Sequence, residues 1–159
     1  MGLRDLGPTM APMNAYLTIM GIETLALRME KHVANAEVVA NYLHNHAKVS
    51  WVSYAGLEES NYFHLAKKYL PKGAGSVFTF GIKGGYDAGV KFVEKCQLLS
   101  HLANIGDTRS LVLHPASTTH RQLTETQRIS AGAGDDVIRL SIGLETVEDI
   151  IADLEQALR

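Results

Sequence analysis

From residue 8 to residue 46 the apolar positions Leu17, Met20, Leu25, Leu27, Val33, Val38, Val39 and Leu43 recur at mixed three- and four-residue spacing, the repeat of a helix that buries one face. Gly21 interrupts the run, so the pattern predicts one long helix or two joined near that glycine. Beyond residue 48 the period changes to two, which predicts a strand over 49–54 closed by Gly56. A short helix over 60–69 follows, with Ser60 as its cap and residues 71–75 as its breaker. The segment "GSVFTFGIKGG" sets Val77, Thr79 and Gly81 against Phe78, Phe80 and Ile82 and is the clearest strand of the chain.

Asp87 is placed to cap a helix running to about residue 102. A turn at Gly106 and Asp107 leads to a short strand over 110–113, and Pro115 stops it. A small helix over 120–127 and a mobile glycine-rich loop over 130–134 come next. The last elements are a strand in "DDVIRLSIGLE" and an amphipathic helix, "TVEDIIADLEQALR", capped by Thr146 with Glu148 and Asp149 in its first turn. This order predicts a small α/β (α+β) fold of about four strands backed by helices on one face, with strand direction undecided.

Composition narrows the partners. The 159 residues are 46% hydrophobic and 20% charged, enough for one proper core. A net charge of −2 with scattered lysines and arginines argues against nucleic acid and anionic membranes as partners. A single cysteine, Cys96, removes any intramolecular disulfide framework and favours a cytoplasmic setting. Helical patterning starts almost at the first residue, so the chain is expected to begin within a longer protein. Its early methionines and aromatics would then be surface that a partner covers.

Arg139 stands out in the last strand. Val137, Arg139, Ser141 and Gly143 fall on one side, and Ile138, Leu140, Ile142 and Leu144 on the other. Such an arginine either reaches solvent along its aliphatic stem or waits for an anion, because a guanidinium fork matches a carboxylate. The turn at Asn104, Ile105 and Gly106 offers a side-chain amide and backbone N–H groups to the same anion.

Other chemistry is weaker. The seven histidines lack ligand spacing, since His44 and His46 do not share a helix face and no HExxH pair accompanies His114 or His120. Ser117 and Ser141 sit in no G-x-S-x-G elbow. Cys96 reads as an inert helical thiol, and Lys83 in "GIKGG" as a surface residue after a strand.

Four stretches, "RDLGPTMAPMNAYLTIMGIETLALRMEKH", "GAGSVFTFGIKGG", "NIGDTRSLVLHPASTTHRQL" and "VIRLSIGLETVEDIIADLEQAL", together resemble the C-terminal part of the Cys/Met-metabolism pyridoxal-phosphate enzymes. The likeness covers essentially the whole chain and is nearest to the O-acetylhomoserine sulfhydrylase branch. It implies a fold type I C-terminal domain with a mainly antiparallel sheet and a long N-terminal helix. Residues 1–46 would be the interdomain helix region and residues 47–159 the substrate-binding domain.

The resemblance places the substrate α-carboxylate on Arg139 and puts Asn104 beside it, with the loop over 117–120 near the approach to the site. It implies pyridoxal phosphate as cofactor of the whole enzyme, and O-acetyl-L-homoserine with sulfide or a thiol as substrates. None of the eight lysines sits in the family's Schiff-base setting, so a separate cofactor-binding domain is implied, and this chain by itself is expected to be inactive. No catalytic, cofactor-binding or metal-binding residue is therefore assigned to it. The same residues would suit methionine γ-lyase or cystathionine γ-synthase. A non-catalytic module that pairs with a second copy, as in a homo-oligomer, is the reading from another class.

Overall fold

Phe80 and Ile138 face one another across two adjacent antiparallel strands, and neither has any exposed surface. The computed structural model that places them describes residues 2–159, with the backbone alone for Leu3 and Arg4. Met1, the first residue of the expected interdomain region, lies outside the described residues.

Three helices lead in: α1 (Gly2–Leu6), α2 (Pro12–Glu23) and α3 (Leu25–His44). Strand β1 (Val49–Ser53), helix α4 (Phe63–Tyr69), strand β2 (Val77–Ile82) and helix α5 (Gly85–Lys95) follow. The chain continues through β3 (Ser100–His101), β4 (Leu111–Leu113), a 3-10 turn (Pro115–Ser117), α6 (Glu125–Ser130), β5 (Val137–Ser141) and α7 (Val147–Leu158). The sheet order is β1-β2-β5-β4-β3, antiparallel throughout except for the parallel pair β3 and β4.

One face of the sheet carries the core. Phe78, Phe80, Ile82, Val112, Ile138 and Leu140 meet Ala36, Val39 and Leu43 of α3, Phe92 and Val93 of α5, and Ile150 and Leu154 of α7. Each such fully buried aliphatic or aromatic side chain stabilises the fold by about 1.5–3 kcal/mol. Helices α3, α5 and α7 lie on that side, and the polar side of β5 is left for other use.

The structure differs from the sequence expectation in several places. Among the described residues the sheet has five strands, because β3 forms inside the segment predicted as helix. Helix α5 stops at Lys95, since the backbone N–H groups of Gln97, Leu98 and Leu99 are drawn to the Asp153 carboxylate at 2.8, 2.9 and 3.1 Å. The expected long N-terminal helix is two helices that meet at Thr24 (φ −102°, ψ 3°), three residues past Gly21, whose carbonyl accepts from the Arg28 guanidinium.

Helix starts also move. Helix α4 begins after Tyr62, and α5 begins after Gly84 (φ 108°) with Asp87 in its first turn. Helix α6 begins after Thr124, where Thr124 and Gln127 exchange capping bonds. Thr146 precedes α7, but its carbonyl takes the bonds from Asp149 and Ile150, and its hydroxyl makes no cap.

Helix α2 buries none of its residues: Met13, Tyr16, Leu17, Ile19, Met20 and Ile22 are all exposed. A helix that apolar on the outside marks a contact surface. Among the described residues no helix is long and apolar enough to cross a membrane.

Candidate carboxylate-binding site

Arg139 lies between Thr79 of β2 and Leu113 of β4, on the sheet face opposite the helices. Its side chain is half-buried, and its Nη2 donates to the Asn104 carbonyl at 3.3 Å. The two residues proposed from sequence as carboxylate neighbours are therefore brought together. With Leu102, Leu111, Leu113 and Ser141 they line a crevice too narrow to admit a water. Among the described residues no carboxylate pairs with Arg139. An apolar wall of this kind lowers the local dielectric and strengthens the attraction of the guanidinium for an incoming anion.

The end of β5 is fastened from two sides. On α3, His32 Nδ1 donates to the Ile142 carbonyl at 2.6 Å, and the Asn35 amide donates to the Gly143 and Glu145 carbonyls at 3.0 and 2.9 Å. On the other side the Glu145 carboxylate accepts from Ser110, whose Oγ in turn accepts from the Gly143 N–H at 2.8 Å. Gly143 has to be glycine here, because a Cβ would stand 2.5 Å from the backbone of Arg109 and Ser110. Sequence reasoning missed His32, Asn35, Ser110 and Glu145, which lie 33 to 110 residues from their partners.

Asn104 acts through its backbone toward Arg139. Its Oδ1 accepts from the Ile105 N–H at 2.9 Å, and its side chain also bonds the Asp107 carboxylate. The Arg109 backbone N–H, the Arg109 guanidinium and Asn104 hold the Asp107 carboxyl below the usual aspartate range, against a smaller upward push from burial. The turn is thus pre-shaped by its own side chains, with the Asn104 carbonyl turned to Arg139.

The segment "HPASTTH" divides in two. His114 is fully buried: Nε2 donates to the Asp135 carbonyl at 2.9 Å and Nδ1 bonds Ser117 Oγ at 2.9 Å, which makes it a structural pin. The His120 ring bonds its neighbour Thr119 through Nδ1, at 2.8 Å. Cys96 ends α5, and burial together with the Asp153 charge pushes its thiol up to about 12, which suppresses nucleophilic thiolate. No group of three or more metal-ligating side chains exists among the described residues.

All eight lysines are exposed, and none lines the crevice. Lys48 and Lys83 bond the Arg159 and Ala47 carbonyls. The crevice residues suit a carboxylate and offer no amine to carry pyridoxal phosphate, so the cofactor does not fit this crevice.

The sheet is thus mainly antiparallel, with its core helices on one face and Arg139 on the other. Residues 2–159 match the family of Cys/Met metabolism PLP-dependent enzymes, and the chain belongs to it. The chain is 51% identical over 159 residues to an O-acetyl-L-homoserine sulfhydrylase of Leptospira meyeri, covering 99% of the chain and 36% of that relative. It is 53% identical over 156 residues to a homocysteine synthase of Schizosaccharomyces pombe, covering 98% and 36%.

A crystal structure described as an O-acetylhomoserine (thiol)-lyase of Campylobacter jejuni, with a pyridoxyl-lysine monophosphate, superposes with a TM-score of 0.89 at 48% identity. That match covers 98% of this chain and 37% of the other. The chain thus spans about a third of the length of the curated relatives it matches.

Proposed function

We propose that this chain supplies the carboxylate-binding part of an O-acetylhomoserine sulfhydrylase, in which acetate on the γ-carbon of O-acetyl-L-homoserine is replaced by sulfide or a thiol. With sulfide the products are L-homocysteine and acetate, so atoms and charge balance without an oxidant. Pyridoxal phosphate supplies the electron sink for such chemistry, held by residues other than those of this crevice. Arg139 binds the α-carboxylate through its guanidinium fork and fixes the amino acid's orientation. Asn104 borders the same carboxylate.

The observation that carries this reading is an arginine on the free sheet face that, among the described residues, has no carboxylate partner and bonds a neutral carbonyl at a long 3.3 Å. The names of the relatives support the substrate. The exposed apolar α2 supports a partner surface, which we assign to a cofactor-binding domain preceding the interdomain region of residues 1–46, and to assembly as a homo-oligomer. Residues 47–159 are then the substrate-binding domain. A biosynthetic role of this kind suits the cytoplasm.

The test is Arg139→Ala in the holoenzyme. Loss of a charge-assisted partner removes about 1.5–3 kcal/mol, so KM for O-acetyl-L-homoserine should rise about tenfold or more while KM for sulfide stays put. An unaltered KM for the amino acid defeats the assignment.

A further inference from the structure

Ser141 stands two residues along β5 from Arg139, on the same face, between Val77 of β2 and Leu111 of β4. It is only 3% exposed, and among the described residues its Oγ has no hydrogen-bond partner. His32 Nε2 and Arg128 Nε share that condition, but those side chains bond through their remaining nitrogens. For Ser141 the unpaired atom is the side chain's whole polar capacity. Burying a hydroxyl without a partner is disfavoured, so a native structure that does so calls for an acceptor.

The acceptor is not in the crevice as it stands. Its side-chain walls beside Ser141 are Leu102, Leu111 and Leu113, and it leaves no room for a water next to the arginine. Whatever satisfies Ser141 has to arrive with a movement of the guanidinium. Arg139 is free to make that movement, because its 3.3 Å bond to the Asn104 carbonyl is long and neutral, and a carboxylate offers shorter charge-assisted bonds in exchange. A carboxylate has about four lone-pair positions on two oxygens, of which one fork uses two.

We propose that Ser141 is a second side-chain ligand of the carboxylate bound by Arg139, its hydroxyl donating to a carboxylate oxygen. This rests on the carboxylate reading of Arg139. The serine keeps its proton throughout and acts by holding the substrate in place.

The test compares Ser141→Ala with the unaltered holoenzyme, using O-acetyl-L-homoserine as substrate and 3-aminopropyl acetate, the same molecule without its carboxylate, as competitive inhibitor. The expected result is a KM raised about tenfold, kcat within about twofold, an unchanged inhibition constant for the amine and an unchanged or higher Tm. Ser141→Cys, similar in shape with a weaker donor, should fall between. In an Arg139→Ala background the serine effect should shrink to under about twofold, the mark of a shared ligand.

An unchanged KM in folded Ser141→Ala overturns the proposal, as does a rise in KM matched by the amine's inhibition constant, which marks general distortion. If Arg139→Ala itself leaves KM unaltered, the carboxylate reading fails first, whatever the serine does.

Discussion

The Glu145 carboxylate accepts both donors of Ser110, the backbone N–H at 2.7 Å and the hydroxyl at 2.8 Å. Ser110 has no exposed surface, so water cannot replace either bond. Glu145→Ala should therefore cost about 2–3 kcal/mol, the penalty of stranding buried donors, and lower Tm by about 4–10 °C. Glu145→Gln keeps an acceptor for the N–H and should cost less than half as much. Because the same Ser110 hydroxyl holds the Gly143 N–H just beyond β5, the alanine variant should also raise KM for the amino acid a few-fold. Equal Tm values for the two variants contradict this account.

Asp153 sits on α7 and gathers three consecutive backbone N–H groups, those of Gln97, Leu98 and Leu99, together with the Gln156 amide. Burial pushes its carboxyl up, but these four donors outweigh it and hold it below the ordinary 3.8. A folded-state value below the unfolded one adds stability that is fully present above 3.8 and is lost as pH falls through the depressed value. Asp153→Asn turns an amide toward two of the donors and should cost about 2–3 kcal/mol at neutral pH. The difference in Tm between the two proteins should narrow as pH falls from 7 to below 3.8. A gap as wide at pH 3 as at pH 7 counts against a charged Asp153.

Asp153 also shows where sequence reading stops. The helix expected to reach residue 102 ends at Lys95 because of a carboxylate more than fifty residues away, and no local pattern announces that. Strand β3 has two residues and exists through its parallel pairing with β4, too short for a period-two signal. By contrast the face of Arg139 was legible, because alternation alone separates it from Ile138 and Leu140. Ser141 was equally legible as a face-mate, yet only burial shows that its hydroxyl is unpaired. The adjacency of Arg139 and Asn104, 35 residues apart, was beyond periodicity and came from the family resemblance. Of the two readings at Gly21, the joined pair holds, but the junction falls three residues on at Thr24, since glycine is tolerated inside helices at a cost of about 1 kcal/mol.

Gly89 on α5 packs flat against the His114 ring, where an added Cβ would stand 2.7 Å from Cδ2 and from Nε2. Two effects of Gly89→Ala oppose each other. Alanine favours a helix interior over glycine by about 1 kcal/mol, while forcing a methyl into a filled site costs about 1–3 kcal/mol. Which one wins depends on whether the ring yields. It is held by the Asp135 carbonyl on one nitrogen and Ser117 on the other, with the Tyr86 ring edge-on at 5.1 Å. The clash should therefore prevail, and Gly89→Ala should lower Tm by a few degrees. In a His114→Ala background the obstacle is gone and the sign should reverse, with the added alanine raising Tm. A rise in the single variant means that the ring moves aside and that its two hydrogen bonds are weaker restraints than their geometry suggests.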